Sequence, residues 1–185
     1  KGRIPSFITT LGMMMVARSA AKVFTDAKPI SGLPDGFRAL ASEPLGLSLI
    51  VWIAVALYGV AHVVLTRTKL GRYTYAIGGN ERAAWISGVP IERTKVVVYT
   101  LSGALAGLAA VLLTARLNSA SPLSGEMYEL YAIAAAVIGG TLLTGGVGYV
   151  AGSLVGVLIL GVIQSLIAFD GTLSSWWTRI AIGVL

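Results

Sequence analysis

Few residues in this 185-residue chain are suited to covalent chemistry. Cysteine is absent, and His62 is the one histidine. Disulfides, thiol catalysis and cysteine-ligated metal are therefore excluded. A lone histidine argues against a histidine-based metal site or a catalytic triad. No G-x-x-x-x-G-K-S/T loop occurs, so the chain cannot hydrolyse ATP by that route. Residues 145–151 (GGVGYVA) contain G-x-G-x-x-A. That pattern marks a dinucleotide site only after a strand in a soluble βαβ unit. Here it lies between two apolar runs, where glycines let helices approach or the backbone turn. No pair of carboxylates sits inside an apolar run, which argues against a proton relay and against an intramembrane aspartyl protease. Among the polar side chains in or beside apolar runs, Asn118, Tyr128, Tyr131 and Gln164 stand out. They are candidates for a polar translocation path, although helix–helix hydrogen bonding is the better account of Asn118 and Gln164. No cofactor or metal is expected on the chain.

A different kind of site lies in residues 71–90, GRYTYAIGGNERAAWISGVP. It is polar and charged in a chain that is otherwise very apolar. Within it, Asn80 is a good helix cap and Glu81 suits a first turn. Ala83 and Ala84 favour helix, and Gly88 then Pro90 stop it. The short helix so predicted carries Trp85 and Ile86. Apolar side chains on a short exposed element read as a docking surface for a partner.

The rest of the sequence must position that segment. The chain is 56% apolar and 12% charged, against about 25% charged for a soluble domain. This composition predicts an all-α, polytopic transmembrane helical bundle. Spans of about 20 apolar residues are needed to cross a bilayer. Candidates lie over residues 4–24, 44–66, 96–115, 130–147, 150–169 and 174–185, the last cut short. Arg18 and Lys22 close the first span and can snorkel to the interface. Arg179 in the last is placed near the outer interface on the same ground. Pro44 suits a first helical turn. Gly103-x-x-x-Gly107 and Gly152-x-x-x-Gly156 are small-residue signals for close helix packing. Both ends read as cut, so the chain is expected to be a fragment of a larger membrane protein. A signal peptide is only faintly mimicked at the start, where Arg18 interrupts the pattern.

Charge predicts the orientation. The net charge of +6 suggests basic cytoplasmic loops rather than nucleic-acid binding. Residues 67–95 hold Arg67, Lys69, Arg72, Arg82, Arg93 and Lys95, whereas 25–43 hold Lys28 and Arg38, and 116–129 hold Arg116 alone. The excess places 67–95 in the cytoplasm. Parity then places 25–43 and 116–129 outside, the glycine-rich joint near 139–149 inside, and Asp170 outside.

Three motifs resemble one family, the bacterial ABC-transporter permeases for ribose, xylose, galactose and autoinducer-2. GRYTYAIGGNERAAWISGVPIERTKVVVYTLSGALAGLAAVL is similar to the family's cytoplasmic loop and following span. IPSFITTLGMMMVARSAAKVFTDAKPISGLP resembles an upstream segment, and AAAVIGGTLLTGGVGYVAGSLVGVLILGVIQSLI resembles its glycine-rich C-terminal region. They occur in the family's order and cover nearly the whole chain. The resemblance implies that 67–95 is a coupling loop seated in a groove of an ATP-binding subunit. Gly79, Asn80, Glu81, Arg82, Ala83, Ala84, Trp85 and Gly88 would form it. Arg82 separates Glu81 from the two alanines, a departure from the strict E-A-A-x-x-x-G form. It also implies two ATPase subunits that carry ATP and Mg, a second permease copy or homologue, and a periplasmic or extracellular sugar-binding protein. The setting implied is the bacterial inner membrane, and the chain itself would not be an enzyme. A branched-chain amino-acid permease of the same transporter class is the nearest alternative. A secondary transporter or channel would need no ATPase, but neither intramembrane charges nor a filter-like loop is visible.

Overall fold

The computed structural model describes residues 6–40 and 46–170. The expected span over 174–185, Arg179 and Pro44 lie outside them. Among the described residues the structure is helical apart from turns and one two-residue strand pair. In order the helices are α1 (Ser6–Phe24), α2 (Asp35–Leu40), α3 (Leu49–Arg67), α4 (Lys69–Gly79), α5 (Glu81–Ile86), α6 (Ile91–Leu117), α7 (Tyr128–Ile138) and α8 (Val150–Asp170). The chain divides into two compact units. One holds residues 1–50 and 107–126, the other 51–106 and 127–185.

In the first unit, β1 (Ile30–Ser31) pairs antiparallel with β2 (Ser119–Ala120). The two strands belong to the two loops that parity assigns to one side, and the pairing holds those loops together. Among the described residues, Leu112 and Ala115 on the last turns of α6 are its buried apolar residues.

Three features of the helices decide the architecture. First, long apolar helices show their apolar side chains on the surface. No residue of α3 is buried, and Val51, Trp52, Val55 and Val60 are all exposed. A water-soluble helix would bury such a face. Among the described residues three helices, Leu49–Arg67, Ile91–Leu117 and Val150–Phe169, are long and apolar enough to cross a bilayer. The protein is a multi-pass membrane protein. Helix α1 forms close to where it is expected but is not among the three.

Second, the segment read as a polar interruption is largely helix. Thr68 caps α4 by accepting from the Gly71 amide at 3.4 Å. After α5, helix α6 starts at Ile91, directly behind Pro90 and five residues before the apolar run expected from 96.

Third, α7 is not the expected span over 130–147. It stops at Ile138, and 139–149 turn. Eleven residues of helix reach about 16 Å, roughly half the bilayer core. The stop is a Schellman motif. Gly140 takes φ +85°, its N–H donates to the Val137 carbonyl, and the Thr141 N–H donates to the Ala136 carbonyl. Helix α8 packs against this end of α7. Gly152 lies against the Gly139 backbone and Gly156 against the Ala135 carbonyl, so a methyl on either glycine would collide with backbone. The expected packing role of Gly152-x-x-x-Gly156 is thus filled. Gly103 and Gly107 instead face nothing within 4 Å, so their signal is not used among the described residues.

Candidate functional site

Helix α5 is built from local signals. Asn80 has extended backbone and its Oδ1 accepts from the Ala83 amide at 3.0 Å. That satisfies one of the unpaired amides at the helix start. The far end is a second Schellman motif: Gly88 takes φ +77°, its N–H donates to the Trp85 carbonyl, and the Val89 N–H donates to the Ala84 carbonyl. One face is fixed inward by Ala84, which is buried. The other faces out, with Trp85 70% and Ile86 73% exposed. Beside it a cleft of about 450 Å³ is lined by Glu81, Trp85, Val89, Pro90, Ile91, Glu92 and Arg93.

Two contacts brace α5 and its surroundings. Lys95 Nζ on α6 meets Glu81 Oε1 at 2.7 Å. Thr94, 5% exposed, donates its hydroxyl to the Pro90 carbonyl at 2.9 Å. Gly79, Asn80, Glu81, Arg82, Ala83, Ala84, Trp85 and Gly88 are therefore one continuous capped element. Gly79 ends α4, and Gly88 supplies the left-handed turn.

Of the four polar candidates, three come together. Tyr128, Tyr131 and Gln164 line a cleft of about 310 Å³ between α7 and α8, floored by Ala135 and Leu160. The two tyrosine rings are tilted, with centroids 6.0 Å apart. A cleft of this kind offers two phenol hydroxyls and one amide above an apolar floor. Asn118 belongs to the first unit, at the end of α6. It takes φ +49°, a conformation asparagine tolerates, and its Oδ1 is buried without a hydrogen-bond partner among the described residues.

Sequence reasoning missed a third cluster. Gly78, at the end of α4, meets the glycine turn that follows α7. A methyl on Gly78 would sit 2.5 Å from the Gly146 nitrogen, and one on Gly145 would sit 2.7 Å from the Gly78 carbonyl oxygen. The Tyr75 hydroxyl donates to the Gly148 carbonyl at 2.7 Å. The glycine pairs were visible as glycines, but nothing local says which backbone they approach. The contact brings the joint beside the end of the basic segment's first helix.

All 185 residues match the model of a family described as branched-chain amino acid transport system / permease component. The chain belongs to this family. It is 44% identical over 188 residues to the ribose import permease protein of Bacillus subtilis (strain 168), covering all of this chain and 58% of that one. It is 42% identical over 193 residues to the ribose import permease protein of Escherichia coli (strain K12), covering 100% and 59%. The L-arabinose transport system permease protein of Escherichia coli (strain K12) is 38% identical over 166 residues, or 89% of this chain and 51% of that one. The chain thus spans less than three fifths of the ribose permeases it matches. No solved structure matches it.

Proposed function

We propose that this chain is part of the membrane-spanning permease subunit of an ATP-driven importer for a monosaccharide or similar small polar solute, in the bacterial inner membrane. The family's printed description names branched-chain amino acids. The similar proteins named above carry ribose and L-arabinose in their names, which favours a sugar. As a transport subunit the chain is not an enzyme. ATP and Mg belong to partner ATP-binding subunits, and a second permease copy or homologue and a sugar-binding protein complete the assembly.

The observation that carries this reading is α5: a capped six-residue helix with Trp85 and Ile86 exposed, in a chain similar to ribose import permeases. Capping at both ends makes it rigid enough to seat in a groove and move as one piece. Closure of the ATP-binding subunits would then bias the spans between outward and inward states. The solute would pass the Tyr128, Tyr131 and Gln164 cleft, whose hydroxyls and amide suit a sugar's hydroxyl groups.

The chain's lack of cysteine allows a direct test. A cysteine in place of Trp85 in the full-length protein, with any cysteine outside these residues replaced, is offered to a membrane-impermeant maleimide in oriented vesicles, and to crosslinking with the ATP-binding subunit. Labelling from the cytoplasmic face, with a crosslink that changes with ATP, is expected. Labelling from outside would invert the topology and remove the mechanism.

A further inference from the structure

Helices α4 and α5 are joined by one residue, Asn80. Its N–H donates to the Ala76 carbonyl of α4, while its own carbonyl accepts from the Ala84 amide of α5. The same residue closes one helix and opens the next, so a push on α5 has no slack before α4. At its other contact, α4 holds the turn after α7 at two points. The Tyr75 hydroxyl bonds to the Gly148 carbonyl at 2.7 Å, and Gly78 lies backbone to backbone against Gly145 and Gly146. Residues 75 and 78 lie on one helix face. The turn is closed on itself, with the Leu142 N–H donating to the Val147 carbonyl and the Gly145 N–H to the Leu142 carbonyl. It continues into the Gly139–Gly152 contact and hence into α7 and α8. No flexible side chain lies between the Gly78 and Gly145–Gly146 backbones to absorb a displacement.

We propose that Tyr75 and Gly78 form the seam through which movement of α5 reaches the α7–α8 pair, with Tyr75 as a positioning residue that acts through the Gly148 carbonyl. The seam rests on the permease reading. It adds a second link beyond the docked helix: from α4, by backbone contact, to the broken helix beside the polar cleft.

The test uses the full-length protein reconstituted in proteoliposomes with its ATP-binding subunits and sugar-binding protein. Radiolabelled D-ribose is the probe, and ATP hydrolysis is counted in the same vesicles. Absence of ATP-dependent uptake by the unmodified protein would overturn the permease reading, and the seam with it. Tyr75→Phe keeps the ring and removes only the hydroxyl. Ribose moved per ATP is expected to fall about fivefold, on the scale of one lost hydrogen bond, while hydrolysis stays within about twofold. Tyr73→Phe on the same helix serves as the control and leaves the ratio unchanged. Gly78→Ala, which forces the two backbones apart, lowers the ratio further. With unmodified uptake intact, an unchanged ratio in Tyr75→Phe would overturn the seam alone. Equal loss of uptake and hydrolysis would do the same, by making Tyr75 a packing residue.

Discussion

Lys95 reaches across from the second turn of α6 to Glu81, the first residue of α5, and the 2.7 Å contact ties the short helix to the base of a long apolar one. Both side chains are about half exposed. Water and salt screen such a pair, so its worth is small. In a double-mutant cycle of Lys95→Ala and Glu81→Ala, the coupling is expected at about 0.5 kcal/mol. Thermal unfolding of the purified protein at low salt measures it, and the coupling shrinks in about 1 M salt, where the Debye length is ~3 Å. A coupling that survives high salt would mean that the pair is shielded from water in the folded protein.

Asn80 carries more of the stability of α5 than this ion pair does. Asn80→Ala removes the acceptor for the Ala83 amide, a loss of about 1 kcal/mol. A six-residue helix has little reserve, because nucleation is unfavourable and packing must hold it. Hydrogen exchange of the Ala83 and Ala84 amides is expected to quicken by about fivefold, the factor for ~1 kcal/mol. Exchange in α8 should not change. Equal quickening in both helices would show that the cap supports the whole fold rather than α5.

Two glycine pairs with the same spacing behave oppositely. Gly156 lies against the Ala135 carbonyl, whereas Gly103 has nothing within 4 Å. Gly156→Ala therefore forces α7 and α8 apart and is expected to cost about 1–3 kcal/mol, the range for overpacking. Gly103→Ala leaves stability unchanged or raises it by up to about 1 kcal/mol through helix propensity. Thermal unfolding of the two variants side by side decides this. A large loss in Gly103→Ala would place another helix against that face in the full-length protein.

The same contrast shows what could be read from the sequence. Helix α5 was legible because its signals are local: Asn80 and Glu81 at one end, Gly88 and Pro90 at the other. The long apolar runs of α3, α6 and α8 were legible from composition. Helix α4 was not, because Gly71, Gly78 and Gly79 lower its helix propensity. Two of those glycines are there for contact: a methyl on Gly71 would strike the Leu65 backbone, and one on Gly78 the Gly146 nitrogen. The early end of α7 was hidden for another reason. Apolar composition continues from Ile138 through Val147, and hydropathy does not separate a helix from a glycine-rich turn of the same polarity. Tyr128, Tyr131 and Gln164 could be picked out as polar residues in apolar runs. That they share one cleft depends on α7 and α8 packing through glycine, which is a tertiary fact.

That cleft gives the last prediction. Gln164 is half-buried and lines it with the tyrosine pair and the buried Leu160. If a sugar passes here, the amide exchanges hydrogen bonds with its hydroxyl groups during transit. In the proposed importer, delivery by a binding protein would set the apparent affinity, so a change along the path would appear in the maximal rate. Gln164→Leu keeps the volume and removes both donor and acceptor. At saturating binding protein, D-ribose uptake is expected to slow about fivefold, on the scale of one lost hydrogen bond, with half-saturation unchanged. Tyr131→Phe should show the same pattern to a smaller degree, because its ring remains as an apolar wall. An unchanged maximal rate in both variants would make the cleft a seat for lipid or a neighbouring helix, and the path would lie elsewhere.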